Sequence, residues 1–339
     1  MRLSYKPYML QLRHVFTLAT SSRTHTPVVL TSITLDGLTG YGEASLPPYL
    51  GATQETVMDF LSQLDLSKFT FLNSIDEIME YVDGIAPGNT AAKASVDIAL
   101  HDLFGKYDGL PLWKSWGLDP SKAPATSFTI GIDSRDEIRK KTLEAAEFKL
   151  LKVKLGTSDD KDIIRAIRSV TDIPLCVDAN QGWTDRYYAQ DMLYWLEEQG
   201  AVFAEQPMPK EQLDDIAWLT QHSPLPTIAD ESFQRLDSLN RIKGAFTGVN
   251  IKLMKCTGLN EARKIVAAAR EADMKVMLGC MTETTCAISA AVQMASSVDF
   301  ADLDGHLLIT NDAFTGLSLK EGVVLPSEES GLGIRPVLF

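Results

Sequence analysis

Short apolar runs that end in polar residues recur along the middle of this chain. Five such runs, rich in β-branched or apolar residues, cover residues 149–156, 175–180, 202–207, 227–232 and 249–255. Between them lie segments such as 160–170 and 185–199, whose apolar residues recur at helical spacing. Strand and helix alternate at a step of about 25 residues, which is typical of a parallel (β/α) barrel. The pattern therefore predicts an α/β fold.

Three further runs bring the number of predicted barrel strands to eight. Residues 127–132 form a strand before the central stretch, and residues 275–280 and 300–305 supply the seventh and eighth strands. Together these runs assign residues 116–325 to the barrel.

Residues 1–115 follow another pattern. Residues 2–18 and 27–41 alternate like antiparallel strands, with Asp36-Gly37 as a turn signal. Helical patterns follow at 54–64, 74–81 and 91–107, the last ended by Gly109 and Pro111. Strands followed by helices predict a separate α+β domain. Residues 326–339 lack a helix pattern, and we expect them to return to that domain.

Charged residues stand at the C-terminal ends of five successive predicted strands: Lys154, Asp178, Glu205, Asp230 and Lys252. Loops at this end of a barrel form the active site, so chain order places three carboxylates and two lysines around one mouth. A single Asp at a strand end is more often a helix N-cap or a solvated loop residue. Three acidic strand ends in a row, bracketed by lysines, favour a metal site instead.

These residue types predict a particular chemistry. Converging carboxylates need a cation to ionise together, and oxygen ligands alone suit Mg²⁺. In a closed site next to a divalent cation, a lysine pKa falls and the amine becomes a usable base. A lysine on either side can then remove an α-proton from one face of a metal-bound carboxylate compound and return one to the other face.

Two more lysines accompany this set. Lys152 alternates with Lys154, so both side chains point to the same face of the strand, and an inward lysine pair in a barrel is hard to explain structurally. For Lys255 we expect either a solvated position or a supporting role behind the metal ligands.

The eighth strand ends in Asp302-Leu303-Asp304, whose two carboxylates share a face directed towards the mouth. They lie around the ring from the metal positions, so two unpaired acids here fit an ammonium group. The alternative is that one Asp caps a turn and the other occupies a tight Asp-Gly bend. Two polar stretches of the first domain, 14–27 and 45–53, are candidate loops that close over substrate, and Arg23 in the first is a candidate partner for a substrate carboxylate. Both stretches also fit ordinary surface connections.

Composition narrows the class of protein. The 339 residues include 45% hydrophobic residues, enough for a barrel and a smaller domain. A net charge of −13 argues against nucleic acid or an anionic membrane as partner. The four cysteines form no Cys-x-x-Cys pair, which predicts reduced thiols and a cytoplasmic protein. The sequence shows no secretory h-region and no membrane-length apolar run.

Several motifs resemble those of the enolase superfamily, muconate-lactonizing subgroup, and within it the dipeptide epimerases. The motifs, spread over essentially the whole chain, are Lys-Val-Lys-Leu-Gly (152–156), Asp-Ala-Asn-Gln-Gly-Trp (178–183), Glu-Gln-Pro (205–207), Ala-Asp-Glu-Ser (229–232) and Asn-Ile-Lys-Leu-Met-Lys-Cys-Thr-Gly (250–258). The resemblance implies a modified TIM barrel capped by the N-terminal domain, and one Mg²⁺ per subunit on Asp178, Glu205 and Asp230. It also implies that Lys154 and Lys252 are the acid/base catalysts, Lys154 for the (R) centre and Lys252 for the (S) centre.

The same resemblance assigns roles in substrate binding. It implies that Lys152 binds the substrate carboxylate and that Asp302 and Asp304 hold the free α-amino group of a dipeptide. Further substrate contacts fall on Thr129, Cys280 and Thr282, although Cys280 stands where serine is usual. An arginine in the first polar loop binds an acidic second residue in the family, but Arg23 is offset from that position.

The expected function is a Mg²⁺-dependent dipeptide epimerase that inverts the α-carbon of the C-terminal residue through an enediolate. L-Ala-D/L-Glu, a fragment of cell wall peptides, is the expected substrate. The alternatives within the subgroup are N-succinylamino acid racemase, o-succinylbenzoate synthase and muconate cycloisomerase. A Schiff-base aldolase and a non-catalytic binding barrel are further alternatives. The sequence leaves a homo-oligomer open.

Overall fold

The N-terminal part of the chain begins with an antiparallel sheet. A computed structural model describes residues 1–18 and 21–337. Strands β1 (Arg2–Leu18), β2 (Ser21–Leu35) and β3 (Leu38–Ser45) pair in that order. The predicted turn joins β2 to β3 through Asp36 and Gly37, whose φ angles are 50° and 82°.

The expectation of a polar loop over residues 14–27 is wrong for most of its length. β1 continues to Leu18 and β2 begins at Ser21, and the two strands pair Phe16 with Arg23, Thr17 with Ser22 and Leu18 with Ser21. Of the predicted loop, Ala19 and Thr20 lie outside the described residues. The second predicted loop, 45–53, follows β3 and ends at Thr53, the N-cap of the first helix.

Three helices cover this sheet: α1 (Gln54–Ser62), α2 (Ile75–Ile85) and α3 (Thr90–Asp108). Capping boxes at Thr53 and Ser74 start the first two helices. Helix α3 packs directly on β3. The two backbones are so close that a Cβ atom at Gly42 would lie only 1.9 Å from the carbonyl oxygen of Ser95. The short helix α4 (Leu112–Ser115) leads away from α3.

Eight parallel strands form the barrel, in chain order around the ring. They are β4 (Phe128–Ile130), β5 (Leu151–Lys154), β6 (Leu175–Asp178), β7 (Ala201–Glu205), β8 (Thr227–Ala229), β9 (Gly248–Ile251), β10 (Lys275–Gly279) and β11 (Phe300–Asp302). A parallel bridge between Thr126 and Ala301 closes the ring between β4 and β11. The predicted α/β barrel is confirmed.

Seven helices alternate with the barrel strands. They are α5 (Arg135–Glu144), α6 (Asp160–Arg168), α7 (Arg186–Glu198), α8 (Leu213–His222), α9 (Leu239–Ile242), α10 (Leu259–Glu271) and α11 (Thr285–Val292). Their apolar faces and the outer faces of the strands form the main core.

A separate apolar layer lies inside the barrel. Cys176, Phe203, Ile228 and Met277 form a buried cluster of their own. Side chains two residues apart on a strand share a face, so each member of this layer precedes an inward position nearer the mouth. Those positions are Asp178, Glu205, Asp230 and Gly279. The polar residues therefore stand directly above an apolar floor.

The C-terminal segment contacts the N-terminal domain. Four short strands follow the barrel: β12 (Phe314–Thr315), β13 (Ser318–Lys320), β14 (Val323–Leu325) and β15 (Arg335–Pro336). The backbone amide of Leu332 donates a 2.8 Å hydrogen bond to Asp102 Oδ1 on α3. The domain boundaries near residues 115 and 325 stay a prediction. Within the described ranges, no helix combines the length and apolar character that a membrane span requires.

Candidate active site

Strand register gathers the charged strand ends at one mouth. Lys154 on β5, Asp178 on β6 and Glu205 on β7 are consecutive register partners, Asp230 follows β8 and Lys252 follows β9. One carboxylate oxygen from each of the three acids lies within 4.8 Å of the others. Because β5 and β9 are separated by three strands on either side of the ring, the two lysines approach the acids from opposite walls.

Asp178 is held by one lysine and by its own loop. Its Oδ2 accepts a 2.6 Å hydrogen bond from Lys154 Nζ, and its Oδ1 accepts a 2.9 Å bond from the backbone amide of Asn180. Asn180 and Gln181 have φ angles of 44° and 68°, so the loop takes a left-handed backbone two residues after Asp178. Burial raises the pKa of Asp178, but Lys154 and Lys152 outweigh burial and hold it below its ordinary value.

Glu205 is fully buried between the ammonium group of Lys152 and the amide of Asn250. Lys152 Nζ lies 2.6 Å from Oε2, and Asn250 Nδ2 donates a 2.7 Å hydrogen bond to Oε1. Burial raises the pKa of Glu205, and the negative charge of Asp178 adds to that effect. A positive ion between Asp178 and Glu205 would offset the effects of burial and of the neighbouring negative charge, and would favour the ionised form of Glu205.

Asp230 carries two lysines. Lys252 Nζ donates to Oδ2 at 2.6 Å, and Lys255 Nζ donates to Oδ1 at 2.5 Å. Despite burial, the two ammonium groups hold the pKa of Asp230 well below its ordinary value. Lys255 is 1% exposed, so the expectation of a solvated lysine is wrong, and it occupies the supporting position behind the acid.

Lys152 points into the barrel and bridges the acids of the mouth. Besides Glu205, its Nζ contacts Asp302 Oδ2 at 2.7 Å and Asp178 Oδ2 at 3.4 Å. Burial lowers its pKa, but these carboxylates raise it well above the ordinary value, with Asp302 the strongest. Ser127 Oγ donates 2.6 Å to the other oxygen of Asp302. The expectation that Asp302 is unpaired is therefore wrong.

Asp304 differs from Asp302 in its surroundings. Its Oδ2 accepts a 2.7 Å hydrogen bond from the backbone amide of Thr129. Burial, and after it the negative charge of Asp302, raises the pKa of Asp304 to about 7. A ligand ammonium group would stabilise the ionised form of this carboxyl.

These residues line a cavity of about 470 Å³, a size typical of small-molecule sites. From the predicted set, the cavity wall contains Arg23, Thr129, Lys152, Lys154, Asp230, Lys252, Cys280, Thr282, Asp302 and Asp304. Asp178 and Glu205 lie against them as described above. The structure therefore brings the predicted site residues together, while their roles remain a prediction.

The N-terminal domain supplies part of the cavity rim. Pro47 and Pro48, from the predicted second loop, and Arg23 from β2 line the cavity. Arg23 Nη2 lies 3.3 Å from Thr282 Oγ1, and Ser45 Oγ donates 2.8 Å to the carbonyl oxygen of Thr282. The loop after β10 is therefore attached to the capping sheet.

Sequence reasoning missed several residues of the site. Asn180 and Glu231 line the cavity and lie inside recognised motifs, adjacent to the ligands, which was the available signal. Asn250 also lies inside a recognised motif, two residues before Lys252, whereas Leu308 carried no signal of its own. Burial, and after it the negative charge of Asp230, raises the pKa of Glu231 to about 7.

The residues present fit a hard divalent metal ion. Asp178, Glu205 and Asp230 offer only carboxylate oxygens, which are the ligand atoms that Mg²⁺ prefers. Beside them, Asn180 Oδ1 and Glu231 Oε2 are buried oxygen atoms without a hydrogen-bond partner within residues 1–18 and 21–337. Buried oxygens of this kind need a cation or a water molecule to complete them.

Comparisons with known proteins agree with this geometry. Residues 7–117 match the family described as "Mandelate racemase / muconate lactonizing enzyme, N-terminal domain", and residues 134–337 match "Enolase C-terminal domain-like". The L-Ala-D/L-Glu epimerase of Bacteroides thetaiotaomicron is 58% identical over 338 residues, covering 99% of this chain and 88% of that protein.

Solved structures of similar proteins superpose over nearly the full length. A substrate-liganded complex of the L-Ala-D/L-Glu epimerase from Bacillus subtilis has a TM-score of 0.90 at 27% identity, covering 99% of this chain and 98% of that one. The dipeptide epimerase of Enterococcus faecalis, complexed with Mg and L-Leu-L-Tyr, has a TM-score of 0.90 at 32% identity and covers 98% of both chains. The protein therefore belongs to the enolase superfamily, in its mandelate racemase/muconate lactonizing enzyme family, and is an isomerase of the racemase and epimerase class.

Proposed function

We propose that this protein is a Mg²⁺-dependent dipeptide epimerase that inverts the α-carbon of the C-terminal residue, with L-Ala-D/L-Glu as its substrate. The observation that carries the proposal is the placement of Lys154 and Lys252 on opposite walls, each against a different carboxylate of one acidic cluster. The 58% identity to the Bacteroides thetaiotaomicron epimerase supports the choice of substrate.

Asp178, Glu205 and Asp230 would hold the metal ion. When bound, Mg²⁺ would supply positive charge beside the substrate carboxylate, which makes the adjacent α-proton more acidic. Lys152 lies between Glu205 and Asp302, where its ammonium group is within reach of the same substrate carboxylate. The carboxylate end of a dipeptide would thus have two cationic partners, the bound Mg²⁺ and Lys152.

The two lysines perform the proton transfers. The amine on one wall takes the α-proton from the face turned towards it, and the ammonium group on the other wall gives a proton to the opposite face of the same carbon. One C–H bond breaks and one forms, so the product is the epimer, with no net change in protons. Following the resemblance, Lys154 acts on the (R) centre and Lys252 on the (S) centre.

Substrate-binding residues complete the proposal. Asp304, with Asp302 beside it, would hold the free amino group, and Thr129, Cys280 and Thr282 would contact the peptide. Arg23 would pair with the side-chain carboxylate of the glutamate residue, because it lines the same cavity near Thr282. An N-succinylamino acid has no free ammonium group for the two aspartates.

Solvent isotope exchange tests this function. A dipeptide library is incubated with the protein and Mg²⁺ in D₂O, and deuterium at the α-carbon is followed by mass spectrometry. We expect exchange and epimerisation of L-Ala-L-Glu and L-Ala-D-Glu, both abolished by chelation of the metal. Exchange with N-succinylamino acids but with no dipeptide would overturn the assignment.

Single lysine variants test the two-base scheme. Lys252→Ala is expected to exchange the α-proton of L-Ala-D-Glu only, and Lys154→Ala that of L-Ala-L-Glu only, while neither variant epimerises. Lys264→Ala, which changes a half-exposed lysine on α10, serves as the control and should keep full activity. Full turnover by both active-site variants would refute the scheme.

A further inference from the structure

We infer that Asn250 is a positioning residue that fixes the orientation of the Glu205 carboxylate for metal binding. The inference rests on the proposed metal site but not on the identity of the substrate. Asn250 lies on β9, two residues before Lys252, so both side chains point into the barrel.

The contact between Asn250 and Glu205 crosses an intervening strand. Glu205 ends β7 and Asn250 belongs to β9, with β8 between them. Asn250 Nδ2 donates a 2.7 Å hydrogen bond to Glu205 Oε1, and both residues are fully buried. The other oxygen, Oε2, faces Lys152 Nζ at 2.6 Å. Each Glu205 oxygen therefore has one defined neighbour, and rotation of the carboxylate would break both contacts.

The chemistry of an amide suits this task. A lysine or arginine at this position would be a second cation against Glu205 besides Lys152, and would compete further with a metal ion for its charge. The amide of Asn250 donates a hydrogen bond and carries no net charge, so it orients the ligand and leaves the negative charge available. Outer partners of this kind typically contribute 10–100-fold to metal affinity.

Neighbouring residues hold the Asn250 amide in place. Gly279 on β10 leaves room for the Asn250 amide. A Cβ atom at position 279 would lie 2.4 Å from Asn250 Oδ1 and 2.8 Å from Asn250 Nδ2, which is too close. Asn250 Oδ1 is buried without a hydrogen-bond partner within the described residues. The Nδ2 end of this side chain is kept on Glu205, with the Gly279 backbone against the amide.

The backbone of Asn250 is attached to a second proposed ligand. Lys255 Nζ donates to the carbonyl oxygen of Asn250 at 3.0 Å, to the carbonyl oxygen of Asp230 at 2.8 Å and to Asp230 Oδ1 at 2.5 Å. All three ammonium protons are used in this way. A shift of β9 at Asn250 would consequently disturb Glu205 through the side chain and Asp230 through Lys255.

Metal binding to the metal-free protein tests the inference directly. Mg²⁺ is titrated into wild type and Asn250→Leu by calorimetry, and the electron paramagnetic resonance spectrum of bound Mn²⁺ reports the ligand geometry. Leucine has a similar size but no donor. We expect Mg²⁺ affinity to fall 10–100-fold and the Mn²⁺ spectrum to change. In kinetics, the loss should appear at limiting Mg²⁺ and shrink when Mg²⁺ saturates.

A second variant covers the case in which Asn250→Leu does not fold. Gly279→Ala keeps the asparagine but pushes its amide away from Glu205, and should also weaken Mg²⁺ binding. Gly84→Ala, at a helical glycine with open space around its Cβ position, is the matched control and should bind Mg²⁺ normally. Unchanged affinity in a folded Asn250→Leu or Gly279→Ala protein would overturn the inference. Absence of Mg²⁺ binding by wild type would instead overturn the proposed metal site, and the inference with it.

Discussion

The hydroxyl of Ser45, the last residue of β3, donates a 2.8 Å hydrogen bond to the carbonyl oxygen of Thr282 on the loop after β10. Both residues are buried. One end of this bond belongs to the capping sheet and the other to the cavity wall. The bond therefore links the position of the cap to the shape of the proposed substrate site.

Loss of this bond should affect substrate binding. For Ser45→Ala we expect KM to rise about 2–10-fold with kcat less affected, because a net hydrogen bond contributes about 0.5–1.5 kcal/mol. Steady-state kinetics with L-Ala-L-Glu is the measurement. Ser289→Ala removes a comparable buried bond, from Ser289 Oγ to the carbonyl oxygen of Leu332, and should leave KM unchanged. Equal KM values for the two variants would contradict this interpretation.

Arg23 should determine the preference for an acidic second residue. We expect Arg23→Met to lower kcat/KM for L-Ala-L-Glu about 10–100-fold, because a hydrogen bond between charged groups contributes about 1.5–3 kcal/mol. For L-Ala-L-Gln the loss should be small. Arg13→Met is a suitable control, since Arg13 on β1 donates to the carbonyl oxygen of Leu307 instead. Equal losses for both dipeptides would show that Arg23 has no role in this selectivity.

Lys255 should contribute strongly to stability when no metal is bound. Lys255→Met leaves Asp230 with one fewer cation in a buried site, which typically costs about 3–5 kcal/mol. Saturating Mg²⁺ should recover part of that loss, because a bound cation replaces the missing positive charge. Urea unfolding with Mg²⁺ and with a chelator measures both effects. Lys264→Met removes a surface ion pair with Asp76 and should cost at most about 1 kcal/mol under either condition.

The raised pKa of Glu43 predicts that folding stability depends on pH. This buried β3 carboxylate accepts hydrogen bonds from the Thr284 amide and hydroxyl, yet burial raises its pKa to about 7. Glu283 nearby has a pKa of about 8, raised first by burial and then by Glu43. A raised acid pKa favours the folded state fully below the unfolded value of 4.5, and this contribution is lost as pH rises towards about 7.

The Glu43→Gln variant tests this dependence. Relative to the variant, wild type should lose up to about 3 kcal/mol of unfolding free energy between pH 4.5 and 7, at about 1.4 kcal/mol per pKa unit. Unfolding curves at several pH values provide the measurement. Glu55→Gln changes an exposed glutamate on α1 and should follow wild type. Parallel curves for wild type and Glu43→Gln would exclude Glu43 as the titrating group.

The position of the acidic cluster could be predicted from the sequence because a parallel barrel has simple geometry. Each strand ends at the same edge, so Asp178, Glu205 and Asp230 converge once the strands are recognised. The inward direction of Lys152 follows from its separation of two residues from Lys154. Local patterns and a repeated architecture were sufficient for these residues.

Other relationships depend on tertiary distances that no local pattern contains. Asn250 reaches Glu205 across β8, and the Ser45 hydroxyl meets a carbonyl oxygen 237 residues away in sequence. Lys255 lies in the turn after β9, where strand alternation no longer tells inside from outside. The stretch 14–27 looked like a loop because of its polar residues, but residues 14–18 and 21–27 belong to two long paired strands.

The floor formed by Cys176, Phe203, Ile228 and Met277 affects how the active-site lysines exchange hydrogen with solvent. These four buried side chains carry no charged group, so in the proposed mechanism we expect the amines of Lys154 and Lys252 to exchange hydrogen with bulk water mainly on the cavity side. Hydrogen isotopes would then enter from the side of the mouth, next to the capping sheet. We therefore expect access through the mouth to determine how quickly a label acquired from substrate is diluted by solvent.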